Sequence, residues 1–167
     1  MKKQGFTLIE IVIVLGISAV VLWQGSVAYG AHIRKIQVRE QGRNFVVNLR
    51  KAQNDAITGN KPTGFCNGAT DQIAGYQVDY VDATSYTVSA ICSSGTALIT
   101  ERINVEYNTE FFSAFNPIIF FSPLGEINET QRVRFSHKVD SCVDNYRVDL
   151  ERAGSISDDT LEITGCT

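Results

Sequence analysis

From Phe6 to Trp23 the chain is an almost unbroken run of Leu, Ile, Val, Ala and Gly, and only Thr7, Glu10 and Ser18 interrupt it before the tryptophan. About 18 residues at ~1.5 Å each give ~27 Å, just short of a ~30 Å hydrocarbon core, and Gln24 to Tyr29 can extend the span. A membrane helix is therefore expected over 6–29. Beyond it the apolar and small positions Val38, Gly42, Phe45, Leu49, Ala52 and Ala56 recur at steps of three and four, the period of one helical face. Arg39, Arg43, Asn44, Arg50, Lys51 and Asp55 occupy the opposite side. The same helix is thus predicted to continue as an amphipathic half over 30–59. Gly59 can take a left-handed cap and Pro62 cannot prolong the helix, so it stops there.

Past Pro62 the period falls to two. Tyr76, Val78 and Tyr80 alternate with polar residues, as do Tyr86, Val88 and Ala90 after a turn near Asp82 and Ala83, which predicts a hairpin. Further strands are expected at about 97–107, 117–122, 132–137, 146–152 and 160–164, and a hairpin of 146–152 with 156–164 would turn at Gly154. The expected fold class is α+β: a long N-terminal helix packed by its stripe on an antiparallel β-sheet, with a β-rich head over 60–167.

Glu10 is the anomaly in the first half. A carboxylate near one end of a membrane helix costs on the order of 2 to 3 kcal/mol or more unless it is neutralised or meets a cation. Lys2 and Lys3 precede the run, and the positive-inside bias would hold that end in the cytoplasm and place everything after Tyr29 outside it. A cleavable secretory signal ending near Ala28-Tyr29-Gly30 is a competing reading, but an early glutamate is unfavourable for it and the helical pattern continues past residue 31. A plain uncleaved anchor leaves Gly5, Phe6 and Glu10 unaccounted for.

The leader ending in Gly5, the step to Phe6, and Thr7-Leu8-Ile9-Glu10 before an apolar helix resemble the type III signal of type IV pilins and type II secretion pseudopilins. The resemblance implies a ladle-shaped pilin fold and cleavage by a prepilin peptidase between Gly5 and Phe6. It further implies N-methylation of Phe6 and a docking role for Glu10 in a filament. It divides the chain into a leader at 1–5, an assembly half at 6–29, an amphipathic half at 30–59 and an exported head at 60–167. The chemistry agrees, because cleavage frees an amine at Phe6 that a displaced neighbouring subunit could bring to Glu10. Gly16, Ser18 and Ala19 would let helices approach closely in the bundle. Many pilins carry a proline inside this helix; here prolines stand only at 62, 117 and 123, leaving Gly16, Gly25 and Gly30 as the points of weakness. Short matches around Arg50 to Ile57 and Phe120 to Gly125 resemble the minor pilin and pseudopilin branch.

The formal charge is −3, and loss of Lys2 and Lys3 with the leader takes it to −5, so no global attraction to nucleic acid follows. Cys66, Cys92, Cys142 and Cys166 all fall in the exported part, where oxidation is favoured, and four cysteines allow three connectivities. A hairpin at Gly154 would set Cys142 opposite Cys166, which leaves Cys66 for Cys92, each loop worth roughly 3 kcal/mol. The Cys142–Cys166 bridge would also resemble the disulfide-bounded C-terminal region of many pilins. No cysteine pair has zinc-like spacing and His32 and His137 stand apart, so no metal or cofactor is expected. Ser136 and His137 are neighbours on a strand and point to opposite faces, and Glu126 and Glu129 flank a turn, so an enzyme is not expected.

Arg132, Arg134, His137, Lys138, Arg147 and Arg152 could share a sheet face and form a nucleic-acid patch, though Asp140, Asp144, Asp149, Glu151, Asp158 and Asp159 are interspersed. The expected function is structural: a single-pass subunit of the inner membrane whose head lies outside the cytoplasm, in the periplasm or on the cell surface once assembled. Its expected partners are prepilin peptidase, the membrane and other pilin or pseudopilin subunits. The alternative is a minor or tip subunit that binds DNA, a secreted substrate or a surface.

Overall fold

The structure is a computed structural model that describes residues 7–66, 71–138 and 145–161, apart from the side chains of 25–28, 31, 160 and 161. One helix, α1, runs over Leu8–Thr58. It ends where Gly59 turns left-handed with φ 63° and donates its N–H to Ala56, the cap that a glycine provides without strain. Eight strands follow: β1 Ile73–Asp82, β2 Ser85–Cys92, β3 Ala97–Asn104, β4 Thr109–Phe111, β5 Ile118–Phe121, β6 Gln131–His137, β7 Asn145–Leu150 and β8 Ile156–Leu161.

The alternation over 76–90 does form a hairpin, and its register sets Tyr76 opposite Ala90, Val78 opposite Val88 and Tyr80 opposite Tyr86. Asp82 holds the turn. Its carboxylate accepts from the Thr84 N–H and the Ser85 hydroxyl, both at 2.7 Å. These bonds, the Ser85 hydroxyl foremost, pull its carboxyl down to about 2.

The expected single sheet is two four-stranded antiparallel sheets, ordered β3-β2-β1-β5 and β4-β6-β7-β8. The chain crosses between them at β4, β5 and β6, so neither sheet is a continuous stretch of sequence. Strand 97–107 ends at Asn104, and the strand expected at 160–164 begins at Ile156. β4 is three residues long and carried too little alternation to be anticipated.

The helical stripe is buried as its period implies: Val38, Phe45, Leu49, Ala52 and Ala56 are each 2 % exposed or less, joined by Val46. Phe45 sits where the two sheets meet the helix. Its ring lies edge-on to Tyr86 of the first sheet at 5.0 Å, and to Phe111 and Phe135 of the second at 5.7 and 5.3 Å. Such pairs contribute ~0.5–1.5 kcal/mol each beyond area burial. Gly42 is required by contact: a Cβ there would lie 1.9 Å from the Tyr146 ring, which packs against the bare helix backbone. Gln53 then fastens two turns at once, donating to the carbonyls of Gly125 at 3.0 Å and Gly154 at 2.8 Å.

Cys66 and Cys92 form a disulfide that ties the segment after α1 to the end of β2. Lys61 braces the same loop by donating to the carbonyls of Cys66 and Asp71. Cys142 and Cys166 lie outside the described residues.

Phe45→Ala should cost about 3–5 kcal/mol and lower the melting temperature of the head, read by thermal denaturation. Because the folded Asp82 carboxyl lies below its ordinary value of 3.8, its contribution is present above that value and fades as pH falls towards about 2. Carboxyl NMR should therefore find Asp82 titrating near 2, and Asp82→Asn should flatten that part of the acid-unfolding profile.

Candidate functional site

The first half of α1 is an exposed apolar surface. The twelve large hydrophobic side chains from Leu8 to Trp23 are each at least 51 % exposed and occupy every side of the helix. Full burial of such a side chain is worth ~1.5–3 kcal/mol, so this surface favours an apolar surrounding. Among the described residues no helix is long and apolar enough to cross a membrane. The described apolar run stops at Trp23, ahead of the undescribed side chains 25–28, and Phe6 lies outside the described residues.

Glu10 is the acidic residue in the first turn of α1. Thr7 is the N-cap: its hydroxyl accepts from the Glu10 N–H at 3.4 Å, and the Glu10 carboxylate accepts from the Thr7 N–H and hydroxyl at 3.3 Å. This reciprocal capping box satisfies amide donors that a helix end otherwise leaves open. Its signal, a threonine followed three residues later by a glutamate ahead of an apolar run, was present in the sequence beside the feature read there as a docking carboxylate. Gly5 and Phe6 lie outside the described residues. Gly16 faces open space, and Ser18 folds its hydroxyl back onto the Val14 carbonyl at 2.7 Å.

Of the six residues suspected of binding nucleic acid, His137 is buried, and the other five are spread over the second sheet and the segments that follow its strands. Arg132 and Arg134 lie on one face of β6, and the register places Asp149 opposite the first and Arg147 opposite the second. Asp149 receives Arg132 at 2.7 Å and Arg147 at 2.7 Å, the latter an ion contact without hydrogen-bond alignment, and Arg147 also comes within 3.9 Å of Asp159. Lys138 follows the far end of β6, about 20 Å from Arg132 at strand rise, and Arg152 begins the turn after β7. The arginines at the centre thus share carboxylates. Ser136 and His137 are both buried at the end of β6. Cys66, Cys92 and Asp71 come together, but the two sulfurs are bonded to one another.

Two family signatures match this chain. Residues 1–23 match the prokaryotic N-terminal methylation motif, and residues 41–154 match the family described as type II transport protein GspH. The chain belongs to the GspH family. Its fold is similar to that of the minor pseudopilin EpsH from the type 2 secretion system of Vibrio cholerae, with a TM-score of 0.54 at 12 % identity over 73 % of this chain and 95 % of that one. No curated protein matches significantly. As a GspH-family member the chain is a structural subunit of the pilin and pseudopilin class. The GspH match covers most of the helix–sheet interface described above, from Gln41 to Gly154 but without Val38 or β8, while the methylation motif covers the exposed apolar run.

Asp149→Ala removes the shared partner of Arg132 and Arg147 and should raise the affinity of the full-length protein for duplex DNA at low salt. Fluorescence anisotropy across a salt series measures it, and the affinity gained should fall as salt rises.

Proposed function

We propose that this chain is a processed, membrane-inserted subunit of a type II secretion pseudopilus or type IV pilus, assembled through the N-terminal half of α1. Prepilin peptidase cuts between Gly5 and Phe6, and the new Phe6 amine is methylated. Before assembly the apolar half lies in the inner membrane as a single span, with Lys2 and Lys3 holding the N-terminus in the cytoplasm and the head in the periplasm. The methylation-motif match over 1–23 supports the processing steps.

The observation that carries the proposal is a lone carboxylate, Glu10, on a helix surface that is otherwise apolar and exposed on every side from Leu8 to Trp23. Stacking helices with a stagger buries that surface and brings the Phe6 amine of one subunit to Glu10 of the next. The pair is then neutral in the filament core. Removing one partner of such a buried pair costs roughly 3 to 5 kcal/mol, enough to decide incorporation without affecting the head, whose core begins at Val38. The likeness to a minor pseudopilin supports a minor rather than a bulk subunit.

Glu10→Ala should leave insertion, leader removal and the melting temperature of the head unchanged while incorporation into filaments is lost. Fractionation, intact mass and immunoblotting of sheared filaments measure the three. Wild-type filament content in the variant would contradict the docking role.

A further inference from the structure

A cleft of about 340 Å³ opens between the flank of α1 and the end of β3. Glu40, Gln41, Asn44 and Asn48 line it from the helix, and Asn104 and Glu106 line it from β3 and the loop after it. Phe45 and Tyr86 also contribute to its lining. Four of these side chains are carboxamides, each carrying an acceptor and two donors in the geometry of a peptide group. One of them already binds peptide backbone: the side-chain oxygen of Gln41, itself buried, accepts from the Glu106 N–H at 3.4 Å. Asn48 donates to the Tyr86 hydroxyl at 2.7 Å, and burial pushes that phenol up to about 12, so it stays protonated.

The charge in the cleft has one sign. Its lining holds the carboxylates of Glu40 and Glu106, and among the described residues no lysine or arginine lines it. Asn48 also lines a second, smaller pocket of about 30 Å³ with Asp55, where Lys51 and Glu101 meet at 3.3 Å. Both spaces therefore carry an excess of negative charge, the larger from Glu40 and Glu106 and the smaller from Asp55 beside the Lys51–Glu101 pair. From Glu40 to Asp55 the helix advances ~22 Å, the length of about seven residues of extended chain.

The rim carries a further feature. Tyr107 and Asn108 are both left-handed, with φ of 59° and 54°, in a turn closed by the Thr109 N–H on the Glu106 carbonyl at 3.2 Å. Asparagine tolerates this conformation and tyrosine much less so. The turn leaves the Tyr107 side chain half exposed in the wall of the cleft.

We infer that this cleft seats an extended, positively charged segment of another polypeptide. Its backbone pairs with the carboxamides of Gln41, Asn44, Asn48 and Asn104, its cation meets Glu40 and Glu106, and Tyr107 packs over it. Glu10 has no part in this contact, so its success or failure is separate from that of filament assembly.

The test uses the full-length chain in detergent micelles, with side-chain amides followed by ¹⁵N NMR. The probes are acetylated, amidated peptides of about seven alternating Val and Thr residues, with a central Lys or a central Glu, and separately a chito-oligosaccharide. The lysine peptide should shift the Gln41, Asn44, Asn48 and Asn104 amides saturably, and the glutamate peptide should bind at least about tenfold more weakly. The double variant Glu40→Lys with Glu106→Lys should lose that preference. Asn44→Trp, at an exposed helix position, should block binding with an unchanged circular dichroism spectrum. The inference is overturned if the lysine peptide leaves those amides unmoved, if the two peptides bind alike, or if only the saccharide shifts them.

Discussion

A single helix has to satisfy two different surroundings, and the rest of the molecule follows from how it does so. Over Val38 to Ala56 the apolar side chains are confined to one stripe and covered by the head. Over Leu8 to Trp23 they cover every side and each large one is more than half exposed. A stripe can be buried within one chain, but a helix that is apolar all round needs lipid or other helices. The head is built to grip the first kind of surface. Phe45 is the point of grip, because its ring touches aromatic side chains of both sheets and so couples their separate hydrogen-bond ladders to α1. Gln53 repeats that coupling with polar groups, binding the turns at Gly125 and Gly154.

Against the apolar half, Glu10 stands out as the group whose environment must change. In the single chain it closes a capping box with Thr7, a modest interaction at 3.3–3.4 Å in an exposed setting. That arrangement satisfies backbone donors without itself supplying a cation, and a charge in an apolar interior calls for a counter-charge. On the head, charge is handled differently. Arg132 and Arg147 converge on Asp149, and Lys51 meets Glu101. Exposed pairs of this kind contribute ~0–1 kcal/mol, so they set the surface potential more than the stability.

The helix and the first hairpin were legible in the sequence because each has a period that burial enforces. Gly42 and the positions from Val38 to Ala56 keep one face, and Tyr76, Val78 and Tyr80 keep one side of a strand. The division into two sheets was not legible, since alternation tells which face a residue takes and not which strand lies beside it. The start of β8 was legible from the turn at Gly154 and not from its own pattern, because Ser157, Asp158 and Asp159 form an edge with few apolar positions, and three-residue β4 has no period at all. The Cys66–Cys92 bridge was reached by pairing the other two cysteines first, which lie outside the described residues. At the N-terminus one threonine and one glutamate carried two signals, and the capping box was the one overlooked. The amide-lined cleft had no sequence signature, because Asn44 falls on the polar side of the helix and nothing in the sequence sets it, Gln41 and Asn48 beside β3.

The central claim is that Glu10 finds its counter-ion on another copy of the chain. Filaments grown from a mixture of subunits, one batch labelled with ¹⁵N at Phe6 and the other with ¹³C at the glutamate carboxyls, address it through solid-state dipolar recoupling. Transfer between the Phe6 amine and the Glu10 carboxyl across differently labelled chains is expected, at a separation of about 4 Å. Absence of that transfer from the mixed filament, with transfer appearing only in filaments of chains that carry both labels diluted with unlabelled subunits, would contradict it.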